Sequence, residues 1–461
     1  MQRLSAMIWL TWKAAFRYRL FWVLVALLLV AVVGLPLLIK DDGTAEGFTQ
    51  ILLTYTLGAI TGILGLCTLW LACGTLARDL EECQIQMLAV KPIARWQIWL
   101  GKWLGIVSLN AVLLIVAGIS IYGLLEFRAK KLPAAQQERL KDEVLVARAS
   151  VKEDSVENLI EKETDRILQE RLKKTGNAGV DWAAVRKQIH EQVKSEFQVV
   201  PSDAIRPWTI HLGAAKDSLK GQVLFLRVKF NTAQVGASGT FGGEWFVGVP
   251  KKTKLWRSEI MSMAPDTFHE FPIPPDLFDE KGDLTIMFHN PNEAALLFPL
   301  DEGLEVLYRE GGFGLNFARG LGIIFCWMAL LATLGLAAAS FLSFPVAAFF
   351  CLAILTIVFS SGTLANVVTD NTIMGFNEEA GKAGQSALDT IVVPTFRGML
   401  TVINLAQQFS PIDALSTGRS ITWTQLGMAF AQIILLLGGI IGLGGIIIFN
   451  RRELASAQGT Q

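Results

Sequence analysis

The sequence predicts a polytopic α-helical membrane protein with six spans and a large extracytoplasmic α+β insertion, which consists of a helical hairpin and a β-sandwich. Of its 461 residues, 52% are hydrophobic and only 18% are charged. The mean hydropathy of +0.43 is too high for an ordinary soluble protein of this size. The apolar residues fall into six long runs, and a strongly charged segment separates the third run from the fourth. Most of the chain is therefore expected to lie in a bilayer.

The six predicted spans are the long apolar runs. A helix needs about 20 apolar residues to cross about 30 Å of hydrocarbon. The runs that meet this requirement are residues 20 to 39, 51 to 75, 103 to 125, 320 to 342, 345 to 366 and 425 to 449. The first run has no small-residue cleavage site after it, so we expect it to remain as an anchor.

Basic residues predict that both termini face the cytoplasm. The N-terminal arm contains Arg3, Lys13, Arg17 and Arg19 and no acidic residue. The loop between spans two and three is also basic, and the C-terminal tail opens with two arginines. Short basic loops stay on the inner side of a membrane. Because no organellar transit segment is recognisable, we expect a multi-pass protein of a bacterial inner membrane.

The insertion between spans three and four is predicted to have two parts. Residues 126 to 202 are rich in charged helix formers and break once, near Gly176, which predicts a charged helical hairpin. Leu140, Val144, Ala147 and Val151 recur at helical spacing within it. Residues 203 to 312 contain short runs of period two with Gly, Pro and Asn between them, which predicts a β-sandwich.

Aromatic residues and histidines of the insertion give two weaker indications. Trp208, Trp245 and Trp256 lie in turn-rich strands that bear a similarity to carbohydrate-binding jelly-roll modules, which implies a glycan as one candidate ligand. All four histidines lie in the insertion at wide and irregular spacing, so we expect no metal site. The five cysteines lack the spacing of a zinc site or a disulfide framework.

The predicted domain organisation follows from these segments. Residues 1 to 125 hold an amphipathic arm and spans one to three, and residues 313 to 461 hold spans four to six with a short cytoplasmic tail. A second outer region, residues 367 to 420, contains an apolar run broken by Pro394 and Arg397. It is predicted to be either a re-entrant hairpin or an amphipathic helix on the membrane surface.

The inner loop between spans two and three is the most informative segment. Residues 76 to 102 are predicted to form a short amphipathic helix with an acidic start, a turn at Pro92, and a second interfacial helix. The second helix is rich in tryptophan, with Trp96, Trp99 and Trp103. We expect such a segment to lie along the inner membrane surface and to act as a lever.

At this point the sequence resembles the permease subunits of ABC exporters of the ABC-2 type. Those subunits carry an acidic helix after span two, a Leu-rich stretch, a Lys-Pro turn closing on Arg, and a Gly-Lys at the start of span three. The matching residues are Glu81 and Glu82, Met87 and Leu88, Lys91 and Pro92, Arg95, and Gly101 and Lys102. The segment from Ile448 to Leu454 and the N-terminal arm are also similar to that family.

The resemblance implies an ABC-2 permease-like fold whose loop after span two docks on a separate ABC ATPase subunit. It implies Arg78, Glu81 and Glu82 as polar contacts to the ATPase, Lys91, Pro92 and Arg95 as the turn that transmits movement, and Lys102 as an interfacial anchor. It also implies a dimer with a second copy of the chain or with a related permease. ATP and Mg would be bound by the partner, because this chain has no phosphate-binding loop.

The insertion departs from the simplest members of that family, in which a short external turn joins spans three and four. Its ligand would be an envelope protein or a glycan. Because of this insertion, the sequence leaves open whether the chain transports a substrate or transmits force across the membrane.

Several other classes of function are weighed against the transporter. Lys plus Arg, 41, equals Asp plus Glu, 41, so no overall basic charge favours nucleic acid. The predicted spans contain no ionisable residue, which argues against an ion-coupled carrier. No catalytic motif is present for an enzyme. The alternative reading is a membrane-anchored extracytoplasmic binding or sensor protein, or a channel, with no ATPase partner.

Two glycine motifs predict close helix packing. Gly58 and Gly62 lie in span two, and Gly438 and Gly442 lie in span six, each pair separated by three residues. Such motifs allow two helices to approach closely. They would serve either a dimer interface or contacts within one bundle.

Overall fold

The computed structural model describes residues 2–17, 19–38, 44–82, 93–140, 144–175, 182–232, 239–370, 372–373, 376–377, 382–383 and 388–452. The chain divides into two compact units. The helical unit comprises Met1–Ala147 and Gly311–Gln461, and the β-rich unit comprises Arg148–Glu310. Residues 126 to 147, which the sequence assigned to the insertion, therefore belong to the helical unit.

The helices are bounded as follows. In chain order they are α1 (Gln2–Arg17), α2 (Arg19–Leu38), α3 (Ala45–Glu81), α4 (Arg95–Ala129), α5 (Ala134–Arg139), α6 (Glu157–Thr175), α7 (Trp182–Gln198), α8 (Lys216–Leu219), α9 (Phe313–Ala339), α10 (Phe344–Phe359), α11 (Ser361–Asp370), α12 (Asp389–Gln407), α13 (Pro411–Ser416) and α14 (Trp423–Arg451). Local signals explain several ends: the Thr44 side chain caps α3, and Thr422 with Gln425 forms a capping box on α14.

Four helices of the described chain, α3, α4, α9 and α14, are long and apolar enough to cross a membrane. Two further pairs, α1 with α2 and α10 with α11, pass the same test together but are bent by more than 40°. The number of spans is therefore four, or up to six if each bent pair is one span. Helices that could span a membrane are therefore present, as the sequence predicts, and the count of six spans depends on the two bent pairs.

Helix α9 lies at the centre of the helical unit. It packs against α3, α4, α10 and α14, and it has the largest buried share of the four long helices. The buried side chains of α9 include Phe317, Ile324, Met328 and Leu336. Its neighbours cover it on most sides, so apolar or small side chains are buried around much of the helix rather than along one stripe, with Asn316, Arg319 and Thr333 as the buried polar exceptions.

The N-terminal helix α1 packs along α4. A Cβ atom added at Gly101 would lie 2.5 Å from Met7 Cβ, and one at Gly105 would lie 2.6 Å from Thr11 Cβ. The indole Nε1 of Trp12 donates a hydrogen bond to Ser108 Oγ at 3.0 Å. Gly101 and Gly105 thus form a close-packing motif that the sequence prediction missed.

The two predicted glycine motifs differ in environment. A Cβ added at Gly442 would lie 3.2 Å from Trp99 Cη2, and one at Gly438 would lie 3.3 Å from the Ile433 carbonyl oxygen. The motif of α14 therefore serves contacts within the unit. An added Cβ at Gly58 or Gly62 meets no described atom within 4 Å.

Two cysteines of the helical unit face each other across a helix contact. The Sγ atoms of Cys73 on α3 and Cys351 on α10 are 3.9 Å apart and both residues are buried. Cys67 and Cys326 are free thiols in the same unit. The sequence spacing gave no sign of this pair because the two residues are far apart in the chain.

The strands of the β-rich unit form two main sheets that share one core. The strands are β1 (Val146–Val151), β2 (Val199–Val200), β3 (Ile205–His211), β4 (Leu224–Val228), β5 (Asn231–Thr232), β6 (Phe241–Val247), β7 (Trp256–Arg257), β8 (Met261–Met263), β9 (His269–Ile273), β10 (Asp283–His289), β11 (Leu296–Leu297) and β12 (Leu304–Gly312). One sheet has the order β1-β12-β4-β9 and the other β3-β10-β6-β7, with β8 paired to β6. The predicted region of β structure is confirmed.

The core between the sheets contains two of the tryptophans that suggested a similarity to carbohydrate-binding modules. Trp245 is fully buried and Trp208 is 4% exposed, and both rings contact Phe298. These two side chains belong to the core and are not placed to stack on a sugar at the surface, and a glycan ligand of the unit stays a prediction. Trp256, on β7, is half-buried.

The predicted helical hairpin is present but shorter than expected. Helices α6 and α7 pack on each other through Ile160, Ile189 and Val193. Residues 146–151, by contrast, form strand β1 rather than a helix, so the helical spacing of Ala147 and Val151 misled the prediction. The expected break near Gly176 lies outside the described residues.

The outer region 367 to 420 is largely helical where it is described. Helix α12 contains Pro394 and contacts α11. The indole of Trp327 on α9 donates to the Ala406 carbonyl at 3.2 Å, which ties the end of α12 to the central helix. Whether this region re-enters the membrane or lies on its surface stays a prediction.

Candidate functional site: a helix-end network

Lys102 and Asp79 link the end of α3 to the start of α4. Lys102 is 4% exposed, and its Nζ donates to Asp79 Oδ2 at 2.6 Å and to the Thr75 carbonyl at 2.8 Å. The carboxylate and the carbonyl together compensate for taking the ammonium out of water. Lys102 is therefore a buried ion-pair residue, and its predicted role as an interfacial anchor stays a prediction.

Glu81 and Arg78 connect the same end of α3 to the start of α10. The backbone N–H of Phe344 donates to Glu81 Oε1 at 2.9 Å. The Arg78 guanidinium lies 4.6 Å from the centroid of the Phe344 ring, which also contacts Trp70. A carboxylate on a free N–H at a helix start satisfies an orphan donor and faces the positive end of the helix dipole.

Arg95, at the start of α4, binds the end of α14. Its Nη1 donates to the carbonyl oxygens of Asn450 and Arg452, both at 2.8 Å. Arg452 in turn donates from Nη1 to the Ser340 carbonyl at the end of α9, at 3.1 Å. Carbonyls at helix C-termini have no intrahelical partner, and cations there are favoured by the dipole.

We call the five residues Asp79, Glu81, Arg95, Lys102 and Arg452 the helix-end network. Together they join the ends of α3, α9 and α14 to the starts of α4 and α10, all at one end of the helical unit. Each charge outside the Lys102 pair has the sign that stabilises the helix end it touches. Movement of one of these helix ends would therefore strain its hydrogen bonds or ion pair to the neighbouring helix end.

The structure brings together part of the predicted coupling residues. Arg78, Glu81, Arg95 and Lys102 all take part in contacts between helix ends. Glu82 is exposed at the last described position before the loop. Lys91 and Pro92 lie outside the described residues.

The expected second interfacial helix is not separate from span three. Residues Arg95–Ala129 form one helix of 35 residues. Trp99 is 3% exposed, and the Trp103 indole donates to Thr333 Oγ1 of α9 at 2.8 Å. Of the three tryptophans, Trp96 is the exposed one, at 45%. The predicted second helix is therefore the first part of α4, and two of its three tryptophans pack between helices.

Sequence reasoning missed three participants: Asp79, Phe344 and Arg452. Each acts on a helix that is distant in sequence, so no local pattern indicates its partner. One usable signal was the arginine directly after the last apolar span, since basic residues there commonly bind free carbonyls.

The β-rich unit contains polar clusters of another kind. His211 Nδ1 lies 2.6 Å from Asp283 Oδ1, directly across the β3–β10 pair. The hydrogen bond to Asp283 raises the pKa of His211 above its ordinary value. In the part of the chain that the structure describes, no group of three or more His, Cys, Asp or Glu is arranged to hold a metal ion.

No protein-family model, curated protein or solved structure matches the chain.

Proposed function

We propose that the chain is the membrane-spanning permease subunit of an ABC-type exporter of the ABC-2 type, located in a bacterial inner membrane with both termini in the cytoplasm. A separate ATPase subunit binds ATP and Mg and pushes on the segment between α3 and α4. The chain itself hydrolyses no ATP. A second copy or a related permease completes the transporter.

The helix-end network is the observation that carries this proposal. The residues between Glu82 and Ile93 are bracketed by Glu81 on one side and Arg95 on the other. Glu81 is bonded to α10 and Arg95 to α14. A force applied to this segment would therefore reach α3 and α4 directly, α10 through the hydrogen bond of Glu81, and α14 through the hydrogen bonds of Arg95. Such an arrangement suits a part that converts ATPase closure into helix movement.

The β-rich unit is joined to the central helix by the chain itself. Strand β12 ends at Gly312 and helix α9 begins at Phe313. We propose that this unit is extracytoplasmic and serves export or force transmission toward an envelope protein or a glycan.

Charge reversal at Glu82 tests ATPase docking without breaking the network. Glu81 and Glu82 are both exposed, but only Glu81 bonds to α10, so the Glu82→Lys variant keeps that bond and should lose ATPase binding. We expect at least a ~10-fold loss of ATPase recovered on affinity purification from native membranes, because one close charge contact contributes about 1.4 kcal/mol or more at an interface.

The matched control is Glu126→Lys, the same substitution at an exposed glutamate near the opposite end of α4. It should leave ATPase recovery unchanged. Equal recovery of the ATPase with wild type and Glu82→Lys would count against Glu82 as a docking residue.

A further inference from the structure

Arg319 is a buried cation on the central helix. It lies in the second turn of α9, one residue before the predicted fourth span, and is 8% exposed. Its Nη1 donates to the Ile421 carbonyl, and its guanidinium lies 5.3 Å from the centroid of the Trp423 ring. No described carboxylate forms an ion pair with it, and within the described chain its Nε has no hydrogen-bond partner.

The segment opposite Arg319 is held in place by Asn316. The Asn316 side chain donates to the Arg419 carbonyl and accepts from the Ile421 N–H, both at 2.7 Å. Ser420, between these two residues, has a buried Oγ that bonds to no described residue. Within the described part of the chain, Arg319 Nε and Ser420 Oγ are buried donors without a hydrogen-bond partner, and Arg319 also donates from Nη1 to the residue that follows Ser420.

Among the described residues, the buried Arg319 guanidinium has a carbonyl and an aromatic ring beside it but no carboxylate. A buried cation that lacks an anionic partner is unfavourable, and such residues in membrane proteins commonly mark functional positions. Arg319 lies 20 residues before Ala339, the last residue of α9. At 1.5 Å per residue this is about 30 Å, the thickness of the hydrocarbon layer. With the far end of α9 at one membrane surface, Arg319 lies at the level of the lipid headgroups of the opposite leaflet.

We propose that Arg319 and Ser420 form a binding site for the phosphate of a phospholipid headgroup. Arginine recognises phosphate through paired N–H donors, and the serine hydroxyl adds a third. Trp423, which is 64% exposed beside the guanidinium, is the kind of side chain that lies at the headgroup level. The lipid completes the charge balance of the cluster and fastens α9 to the start of α14. This site does not depend on an ATPase partner.

Native mass spectrometry of the full-length protein tests the site. Wild type and Arg319→Gln are purified in detergent, delipidated, and titrated with phosphatidylglycerol. We expect one tightly held phosphatidylglycerol per chain for wild type and at least a ~10-fold weaker affinity for Arg319→Gln, as for the loss of one charged hydrogen bond. Arg451→Gln, which removes an exposed arginine at the other end of the helical unit, is the matched control and should retain the tight lipid.

A titration with inorganic phosphate separates the two sources of this anion. Failure of phosphate to displace the lipid supports a lipid site, and full displacement would show a site for free phosphate and overturn the proposal. Thermal unfolding provides the second readout. Added phosphatidylglycerol should raise the unfolding temperature of wild type and not that of Arg319→Gln. If added phosphatidylglycerol raised the unfolding temperatures of wild type and Arg319→Gln equally, Arg319 would act only within the fold, and the proposal would be overturned.

Discussion

At the scale of single residues, Lys102 is the most constrained side chain of the helix-end network. Its ammonium is buried and depends on Asp79 and the Thr75 carbonyl. A buried ion pair contributes little compared with an apolar pair of the same shape, but the loss of one partner leaves the other charge uncompensated. Lys102 therefore fixes the position of α4 against α3 more than it adds to stability.

Removal of the ammonium should destabilise the protein, and removal of both charges should restore much of the loss. For Lys102→Met we expect a loss of about 3 kcal/mol in the free energy of unfolding in detergent, because Asp79 keeps its charge. The double variant Lys102→Met with Asp79→Asn should recover at least half of this loss. A direct pair would be contradicted if the stability lost in the double variant equalled the sum of the losses in Lys102→Met and Asp79→Asn.

His211 predicts a pH dependence of the β-rich unit. The folded pKa of His211 is raised, chiefly by the hydrogen bond to Asp283, above the ordinary value of 6.5. The bond therefore contributes stability that is complete below about pH 6.5 and is lost as the pH rises through the folded pKa. The contribution is small because the pair is exposed.

The measurement is the unfolding temperature of the full chain against pH for wild type and His211→Gln. Wild type should be the more stable protein at low pH, and the two curves should converge as the pH rises. A difference that grows toward high pH would contradict the pairing.

At the scale of elements, the packing of α1 against α4 explains why α1 is amphipathic. Met7, Thr11 and Ala15 are buried, and Gly101 and Gly105 give them room. The helix is therefore a packed part of the unit as well as a carrier of basic residues. The sequence predicted an amphipathic arm from its pattern but not the surface that it covers.

An alanine substitution at Gly101 tests this contact. Gly101→Ala would place a Cβ 2.5 Å from that of Met7, so α1 must shift, and we expect a loss of about 1 to 3 kcal/mol in unfolding free energy. Gly62→Ala is the control, because the added methyl meets no described atom within 4 Å. There the change should be neutral or stabilising by up to about 1 kcal/mol. Equal changes in unfolding free energy for the two substitutions would mean that α1 does not pack against Gly101.

At the scale of the whole molecule, the sequence predicted what depends on local composition. Long apolar runs located the spans, and period-two runs located the sheets, because burial of each element imposes its own periodicity. Strand β1 was missed because its partner β12 lies more than 150 residues later in the chain. A short strand in a charged segment has no local feature that distinguishes it from a helix.

The candidate site was predictable only in part for the same reason. Glu81, Arg95 and Lys102 were singled out because the charged segment between the second and third apolar runs resembles that of ABC-2 permeases. Their partners are the free backbone groups at the ends of α10 and α14 and the carboxylate of Asp79. Which helix ends meet is decided by tertiary packing, and a single sequence does not contain that information in its spacing.

The central claim is that the segment between Glu82 and Ile93 receives an ATPase while the helix-end network passes on the movement. The most direct test replaces residues 83 to 92 with a Gly/Ser linker and keeps every residue of the network. Wild type and variant are purified by affinity from native membranes, and their partners are identified by mass spectrometry. We predict an ATPase with a phosphate-binding loop in the wild-type sample alone, from equally folded proteins. Absence of such an ATPase from both samples would contradict the account and would turn attention to the ligand of the β-rich unit.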